Sequence, residues 1–320
     1  MKMYFSPWSK TDMNTAVTVQ NLTKRIGSFT AVDDISFDVP KGEIFGFLGS
    51  NGAGKTTTIR MLCGIITPTS GSAQILGKDI LKERNSIKQS IGYMSQKFSL
   101  YDDLTVQENL EFFSGMYGIG QDRKSRIAQS IEQTGLSERA DLITGSLPFG
   151  IKQRLALASA LMHKPDIVFL DEPTAGVDPR GRRKFWDIIN ALAEDGITIF
   201  VTTHYMDEAE YCNRIALLHK GSIEALGTPE QLKSEHMKGE MFEIRCSDPA
   251  TAMGLLRTTD LGETALFANT IHINIMDVSS IGNIRTILAT NSIAIESVEK
   301  VSPSLEDVFL NVLSERDELQ

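Results

Sequence analysis

Short apolar runs along the chain alternate with polar segments of helical periodicity. Three runs, at 43–48, 166–170 and 196–203, have the length and apolar character of buried strands. Between the last two, the pattern from Arg182 to Ala193 is typical of a helix. Apolar strands that alternate with helices are the mark of a parallel sheet covered by helices. The pattern therefore predicts an α/β core with a mostly parallel sheet.

The segments outside these runs carry other periodicities. From Val17 to Val39 the alternation predicts two strands around a turn at Gly27-Ser28. Residues 97–160 hold several helical patterns interrupted by glycines, which predicts several helices rather than one. Residues 1–15 precede any periodicity, and we expect a flexible N-terminal extension there.

The C-terminal part of the chain predicts a second, smaller α+β domain at 240–320, after a large domain at 16–235. Composition shifts at 234–239, which we interpret as a polar linker. The predicted order beyond it is strand, helix, strand, helix, strand, helix, with period-two alternation at 241–244 and 271–275. Ser302-Pro303 opens the last helix. The apolar face of that helix is formed by Leu305, Val308, Phe309, Val312 and Leu313.

Length, charge and cysteines narrow the function classes. The 320 residues leave room for one large and one small domain, and a net charge of -9 argues against nucleic acid as the main partner. No apolar run approaches the roughly 18–20 residues of a membrane span. No basic region followed by an apolar core opens the chain, so we expect no signal peptide. Cys63, Cys212 and Cys246 lack metal-ligand spacing and are expected to be buried free thiols.

The strongest chemical motif lies directly after the first apolar run. Residues 49–57 read Gly-Ser-Asn-Gly-Ala-Gly-Lys-Thr-Thr, which matches the phosphate-binding pattern G-x-x-x-x-G-K-[ST]. A strand precedes the match and a helix starts around 58–62, which is the context that this motif needs. A glycine-rich turn without a ligand would not require that context.

The residues of this loop have distinct predicted roles. Gly49, Gly52 and Gly54 let the backbone curl so that its N–H groups point at phosphate oxygens, beside the positive end of the helix. Lys55 is expected to reach the β- and γ-phosphates of ATP, and the Thr56 hydroxyl to bind Mg²⁺. The other predicted nucleotide contacts in the loop are Ser50, Asn51, Ala53 and Thr57.

Two adjacent carboxylates end the apolar run at 166–170. Asp171 is placed to hold Mg²⁺, directly or through water, and Glu172 to activate the attacking water as general base. An Asp-Glu pair is often only a solvated loop. Its position after a buried strand and downstream of a phosphate-binding loop favours the catalytic interpretation.

With these motifs in place, residues 17 to about 230 closely resemble the nucleotide-binding subunit of an ATP-binding cassette (ABC) transporter. The chain is most similar to ATPases of multidrug-type ABC exporters that have a separate membrane subunit. Residues 303–309, Pro-Ser-Leu-Glu-Asp-Val-Phe, resemble the C-terminal extension of those ATPases. The resemblance implies a P-loop NTPase cassette with a mixed central sheet, a helical subdomain at about 97–160 and a small α+β C-terminal domain. It also implies two cassettes facing head to tail, with each ATP between one P-loop and the partner's signature loop.

The resemblance assigns three further residues. Gln96, in Tyr-Met-Ser-Gln, is similar to the family's glutamine, which contacts Mg²⁺ or the attacking water; by itself it would be a surface residue. His204 follows the run at 196–203 and resembles the switch histidine that contacts the γ-phosphate; otherwise it would be a core or surface histidine. Asp178, in Ala-Gly-Val-Asp, resembles the polar member of the loop that crosses the dimer interface.

Two positions depart from the family pattern. The signature, usually Leu-Ser-Gly-Gly, reads Leu-Pro-Phe-Gly at 147–150. The serine hydroxyl is absent, Pro148 has no N–H, and Phe149 adds bulk, while Gly150 and the following helix N-terminus survive. Losing a charge-assisted hydrogen bond costs about 1.5–3 kcal/mol, which weakens a site without abolishing it. Ile26 stands where the family has an aromatic residue under the adenine, so we expect loose base recognition.

The leading hypothesis is an ATP-hydrolysing subunit of an ABC exporter at the cytoplasmic face of the cell membrane. It would drive a separate transmembrane subunit through ATP-dependent dimerisation with a second nucleotide-binding subunit. The groove that receives the transmembrane subunit would be lined by Phe98, Leu100, Tyr101 and Phe113, although ordinary helix core explains them as well. The altered signature motivates an alternative, a weakly hydrolysing regulatory half of a heterodimer, which Glu172 and His204 argue against. The single P-loop and the negative net charge argue against a third possibility, a soluble ABC ATPase that acts on ribosomes or DNA.

Overall fold

The computed structural model describes residues 14–97, 100–259, 261–267 and 269–317. Most of the predicted extension at 1–15 and the predicted docking residue Phe98 lie outside these ranges. The chain forms two compact units, one ending at Leu226 and the other beginning at Gly227. None of the helices in the described ranges combines the length and the apolar character that a membrane crossing requires.

The first unit contains ten strands and seven α-helices in its described part, numbered in chain order. The strands are β1 (Thr15–Ile26), β2 (Phe29–Pro40), β3 (Ile44–Gly49), β4 (Ser70–Ile75), β5 (Lys78–Asp79), β6 (Ile91–Met94), β7 (Ile167–Asp171), β8 (Thr198–Thr203), β9 (Arg214–His219) and β10 (Ser222–Gly227). The helices are α1 (Lys55–Leu62), α2 (Arg84–Ser90), α3 (Val106–Met116), α4 (Arg123–Gln133), α5 (Phe149–Leu161), α6 (Pro179–Glu194) and α7 (Met206–Ala209).

These strands build two sheets. The larger has the order β10-β9-β3-β8-β7-β6, and β3, β6, β7, β8 and β9 pair in parallel. The smaller is antiparallel, in the order β2-β1-β4-β5, and its predicted turn at Gly27-Ser28 joins β1 to β2. The parallel strands follow the predicted apolar runs and are buried along their whole length at β3, β7 and β8.

An aromatic cluster fills the core of this unit. Phe37 of β2 stacks on Phe45 of β3 with ring centroids 5.4 Å apart, and Phe200 of β8 contacts both rings. Phe47 and Phe169 complete the cluster, and all five rings are buried. Burying each such ring contributes about 1.5–3 kcal/mol. The cluster fixes β3, β7 and β8 side by side, so the loops after their carboxyl ends meet at one edge of the sheet.

Helix α6 begins three residues before the predicted start at Arg182. Asp178 caps it by accepting from the N–H groups of Arg180 and Gly181, and Pro179 occupies the first helical turn. The apolar face of α6 buries Phe185, Trp186, Ile189 and Leu192. The Trp186 indole stacks on the Tyr211 ring with centroids 5.2 Å apart.

The second unit is an antiparallel sheet with helices. Its elements are α8 (Pro229–His236), β11 (Glu240–Cys246), α9 (Pro249–Arg257), β12 (Glu263–Phe267), β13 (Thr270–Ile275), α10 (Ile281–Thr290), β14 (Ile295–Lys300) and α11 (Leu305–Asp317). The strand order is β12-β13-β11-β14. The predicted order is wrong at one point, because a hairpin of β12 and β13 stands where a single strand was expected. The polar stretch at 234–236 is the end of α8 rather than linker, since a Thr228–Gln231 capping box starts that helix.

Candidate active site at the carboxyl edge of the parallel sheet

The loop between β3 and α1 has the backbone that the glycines of its sequence allow. Gly52 and Gly54 have φ of +82° and +104°. A Cβ on Gly54 would lie 2.5 Å from the Ala31 carbonyl oxygen, so a side chain is excluded there. Helix α1 begins at Lys55, earlier than the helical start expected at 58–62, and no side chain caps its N-terminus. This geometry leaves a helix N-terminus open to an anion such as phosphate.

Lys55 is buried, and its ammonium group faces the inside of the loop. Its Nζ donates to the carbonyl oxygens of Gly49 (2.7 Å) and Ser50 (3.1 Å). It also lies 3.3 Å from Glu172 Oε1, with both side chains less than a tenth exposed. The positive charge is therefore held at the phosphate-binding loop and paired with a carboxylate.

Asp171, at the end of β7, lies beside the first turn of α1. Its Oδ1 accepts from the hydroxyls of Thr56 (3.0 Å) and Thr202 (2.9 Å). Its Oδ2 is buried and has no hydrogen-bond partner. Burial raises the pKa of Asp171 above its ordinary value, although the two hydroxyl hydrogen bonds oppose that shift. A buried carboxylate oxygen without a partner is a position where a cation would be stabilised.

The residues around Asp171 fit Mg²⁺. This ion takes oxygen ligands and is usually held by one or two carboxylates together with substrate phosphates. Asp171 Oδ2 and the Thr56 hydroxyl supply such oxygens side by side. The described residues contain no cluster of three or more His, Cys, Asp or Glu side chains that would form an all-protein cage. The donor set thus suits a metal that arrives with its substrate.

Glu172 lies at the centre of the cluster. Its backbone is left-handed, with φ of +49°, and its N–H donates to the carbonyl oxygen (3.2 Å) and the hydroxyl (3.0 Å) of Thr202. Its Oε2 accepts from Gln96 Nε2 at 3.1 Å and lies 3.5 Å from His204 Nδ1. The structure thus brings Gln96 and His204 to the same carboxylate that pairs with Lys55.

His204 directly follows β8 and is about a third exposed. Its ring contacts the Tyr205 ring at a centroid distance of 4.1 Å, and its Nδ1 is buried without a hydrogen-bond partner. An imidazole in this position can add a hydrogen bond when a substrate enters.

The remaining predicted site residues lie elsewhere. Gly150 is at the N-terminus of α5, where a Cβ would meet Val177 at 3.0 Å, and Asp178 caps α6. Ile26 and its partner in the β1–β2 register, Phe29, are about 60% exposed. Within the phosphate-binding loop, Ala53 is buried, Thr57 is half-buried, and Ser50, Asn51 and Gly52 are exposed.

Among the predicted docking residues, Tyr101 is 44% exposed and forms an edge-on ring contact with Phe112. Leu100 and Phe113 are half-buried. Leu100 packs against the core of the helical segment, which fits the alternative that it is core.

Sequence reasoning missed Thr202. Its hydroxyl donates to Asp171 and accepts from the Glu172 N–H, so it connects both carboxylate residues to β8. The signal is the β7–β8 register, which pairs Asp171 with Thr202. The sequence shows a polar residue, Thr202, near the end of an apolar strand. Its role depends on pairing with Asp171 across the sheet, which only the fold determines.

Comparison with known proteins gives a family. The model of the ABC transporter family matches residues 32–175. The linearmycin resistance ATP-binding protein LnrL of Bacillus subtilis is 35% identical over 300 residues, which cover 92% of this chain and 96% of LnrL. The bacitracin transport ATP-binding protein BcrA of Bacillus licheniformis is 34% identical, with 94% and 98% covered.

Another relative is more similar over a shorter stretch. The probable multidrug ABC transporter ATP-binding protein YbhF of Escherichia coli is 53% identical over 227 residues, which are 71% of this chain. The matched stretch is 39% of YbhF, so this chain corresponds to less than half of that relative.

Solved structures confirm the predicted fold class. A dimer of the ATP-binding cassette MJ0796 in a post-hydrolysis state, bound to ADP and Pi, aligns with a TM-score of 0.61 at 28% identity. The alignment covers 66% of this chain and 98% of that cassette. CbiO1 of Clostridium perfringens, part of the ABC transporter complex cbiONQ, aligns with a TM-score of 0.64 at 28% identity, with 69% and 92% covered.

Proposed function

The chain belongs to the ABC transporter family of ATP-binding proteins, and on that premise we propose that it hydrolyses ATP to drive an exporter. The observation that carries the proposal is the single carboxylate of Glu172, shared by Lys55, Gln96 and His204. A general base needs a positioned, hydrogen-bonded carboxylate next to the phosphate-binding loop, and Glu172 has that position.

ATP binding uses the loop at 49–57. The N–H groups at the N-terminus of α1 receive phosphate oxygens, and Lys55 turns from the loop carbonyls and Glu172 toward the β- and γ-phosphates. This exchange releases Glu172 from its ion pair at the moment when substrate is present. The exposed apolar pair Ile26 and Phe29 offers a surface for the adenine ring.

Hydrolysis then depends on five side chains. Thr56, Asp171 and Gln96 are the residues that would hold Mg²⁺, which neutralises charge on the phosphates when it is bound. Glu172 accepts a proton from the attacking water, and His204 contacts the γ-phosphate from the end of β8. The strained backbone of Glu172 and its two bonds to Thr202 keep that carboxylate in place during the reaction.

The partners belong to the same proposal. The MJ0796 cassette is dimeric, which supports a closed dimer of cassettes with ATP between them. LnrL, BcrA and YbhF carry resistance, transport or multidrug names, which supports export through a transmembrane subunit at the cytoplasmic face of the membrane. Tyr101, which precedes α3, and Phe112, on α3, are exposed and offer one surface for that subunit.

A second candidate function rests on the N-terminus of α5. Phe149 is half exposed there and Pro148 provides no side-chain cap, so the partner's nucleotide would meet an aromatic ring instead of a hydroxyl. This arrangement favours a weakly hydrolysing regulatory half of a heterodimer. The complete set of Lys55, Glu172 and His204 favours the hydrolysing subunit.

Phosphate release from ATP by the purified chain separates these functions. We expect steady release with Mg²⁺, and none after chelation with EDTA, because Asp171 and Glu172 otherwise repel the triphosphate. Tight ATP binding without measurable release would favour the regulatory half. If the chain neither binds ATP nor releases phosphate, the proposed function is overturned.

A further inference from the structure

A second buried carboxylate lies behind the candidate active site. Glu208, in α7, has no exposed surface, and both of its oxygens are occupied. Oε1 accepts from the Thr174 hydroxyl in a short hydrogen bond, and Oε2 accepts from the Thr203 hydroxyl at 2.6 Å. Nothing in the proposed chemistry uses Glu208 directly.

The two hydroxyls belong to the two segments that carry the reactive side chains. Thr174 stands two residues after Glu172, in the turn that leads to α6. Thr203 immediately precedes His204, and its hydroxyl also accepts from the Tyr205 N–H at 3.0 Å. One carboxylate therefore fixes the backbone on both sides of the Glu172–His204 contact.

A cation from α6 completes the arrangement. Arg182 Nε lies 3.4 Å from Glu208 Oε1, and its guanidinium lies over the Tyr205 ring, 3.9 Å from the centroid. Arg182 also donates to Asp207 at 3.2 Å, but Asp207 is 71% exposed. The contact of Arg182 with Glu208 therefore connects α6, whose N-cap is Asp178, with α7.

We propose that Glu208 is a positioning residue for ATP hydrolysis, which holds Glu172 and His204 at their mutual distance through Thr174 and Thr203. Arg182 supplies its counter-charge and couples the start of α6 to the same point. The inference rests on the proposed function, because it gives Glu208 a role in turnover. A purely structural role would not require hydroxyl bonds to both catalytic segments.

The chemistry of the acceptors predicts the effect of substitution. An ionised carboxylate accepts from both hydroxyls at once. A glutamine has one acceptor oxygen and a donor NH₂, so Glu208→Gln leaves one of the two threonine hydroxyls without its acceptor. Asp207→Asn is the matched control, since it makes the same chemical change one residue away on the exposed partner of Arg182.

Steady-state kinetics and calorimetry test the proposal. We expect Glu208→Gln to lower kcat by about tenfold to a hundredfold, as misplacing a reacting group by about 1 Å does. The Kd for Mg-ATP should stay within about twofold, because the phosphate-binding loop is untouched. Asp207→Asn should keep both values. An unchanged kcat in Glu208→Gln, or a Kd that rises in step with the loss of kcat, would overturn the proposal.

Thr174 provides a variant that keeps the fold. Thr174→Val preserves shape and removes the hydroxyl, whereas Thr174→Ser keeps it. We expect the valine variant to lose kcat and the serine variant to retain it, with both variants folded at the assay temperature by circular dichroism. Equal kcat in both variants would contradict the positioning role.

A readout without turnover separates this inference from the proposed function. If the wild-type chain releases no phosphate, the proposed function fails, while the placement of His204 can still be measured by NMR of the histidine rings. We expect the His204 resonances to move in Glu208→Gln and to stay in Asp207→Asn. The same response in both variants would reject Glu208 as the positioning residue.

Discussion

At the scale of single residues, Glu172 has the most costly backbone in the candidate site. A left-handed conformation at a residue with a side chain costs on the order of 1–3 kcal/mol, and Glu172 adopts it with φ of +49°. The two hydrogen bonds from its N–H to Thr202 offset that cost. The carboxylate is therefore oriented before any substrate arrives.

Lys55→Ala should remove most of the binding of Mg-ATP, because no other cation of the loop at 49–57 can meet the β- and γ-phosphates. Isothermal titration calorimetry measures this, with Lys88→Ala on the exposed face of α2 as control. Equal affinity in the Lys55 variant and the wild type would contradict the role of Lys55.

Glu172→Gln should bind ATP normally and release phosphate far more slowly, since the amide keeps the shape and cannot accept a proton. Single-turnover phosphate release is the measurement. Glu194→Gln, exposed at the end of α6, is the control. If the Glu172 variant is as fast as the control, another group is the base.

At the scale of elements, the N-termini of α5 and α6 differ in how they are capped. The side chain of Asp178 caps α6, whereas Pro148 at the start of α5 provides no side-chain hydrogen bond. The two ends pack together, since a Cβ on Gly176 would lie 3.7 Å from the Phe149 ring and one on Gly150 would lie 3.0 Å from Val177. A change at 148–150 is therefore felt in the turn that precedes α6.

The double variant Pro148→Ser with Phe149→Gly should raise the ATPase activity of a homodimer by up to about ten- to a hundredfold. Serine restores one charge-assisted hydrogen bond, and glycine permits close approach to phosphate. Both changes are made together, because proline restricts the backbone around it. Unchanged or lower activity would mean that the site works with Pro148 and Phe149 as they are.

Acid should destabilise the contact between α5 and β6. His163, just after α5, lies 2.9 Å through Nε2 from the Ile91 carbonyl oxygen, and burial lowers its pKa. The unfolded chain therefore binds a proton at His163 more readily than the folded chain does. The free energy of unfolding falls as the pH drops through the ordinary histidine pKa of about 6.5. Urea midpoints between pH 5 and 8 should fall less in His163→Gln than in the wild type. If the urea midpoints of the variant and the wild type change with pH in parallel, His163 is not the source of the acid sensitivity.

The elements that the sequence predicted well are those that local pattern specifies. Strands β3, β7 and β8 are continuous apolar runs, and the loop at 49–57 is a contiguous motif. The β12–β13 hairpin was not predicted, because β12 is a short, half-exposed edge strand defined by its pairing with β13. Thr202 and Glu208 were also missed. Thr202 bonds to Glu172, thirty residues away in sequence, and Glu208 joins the nearby Thr203 to Thr174, thirty-four residues away, so only the fold brings these groups together.

At the scale of the whole molecule, the relatives distinguish the two units. The matches to LnrL and BcrA cover more than nine tenths of this chain, so they include the unit that begins at Gly227. The match to YbhF covers 71% of the chain. Tests of assembly should therefore use the full chain with both units.

ATP should convert the full chain to a dimer, most clearly in Glu172→Gln, where hydrolysis does not reopen the interface. Gel filtration or light scattering with Mg-ATP and with Mg-ADP measures this. Dimer with ATP and monomer with ADP is the expected pattern. A mass that does not depend on the nucleotide would contradict ATP-dependent dimerisation.

The stacking of Trp186 on Tyr211 also provides an intrinsic fluorescence probe. The sequence has two tryptophans, and a Trp8→Phe variant would leave Trp186 of α6 as the only tryptophan that fluoresces. Trp186 stands one helical turn after Arg182, and Tyr211 stands three residues after Glu208. The emission maximum and lifetime of this indole therefore respond when α6 shifts against the segment after β8, so stopped-flow fluorescence can time that shift without an attached dye.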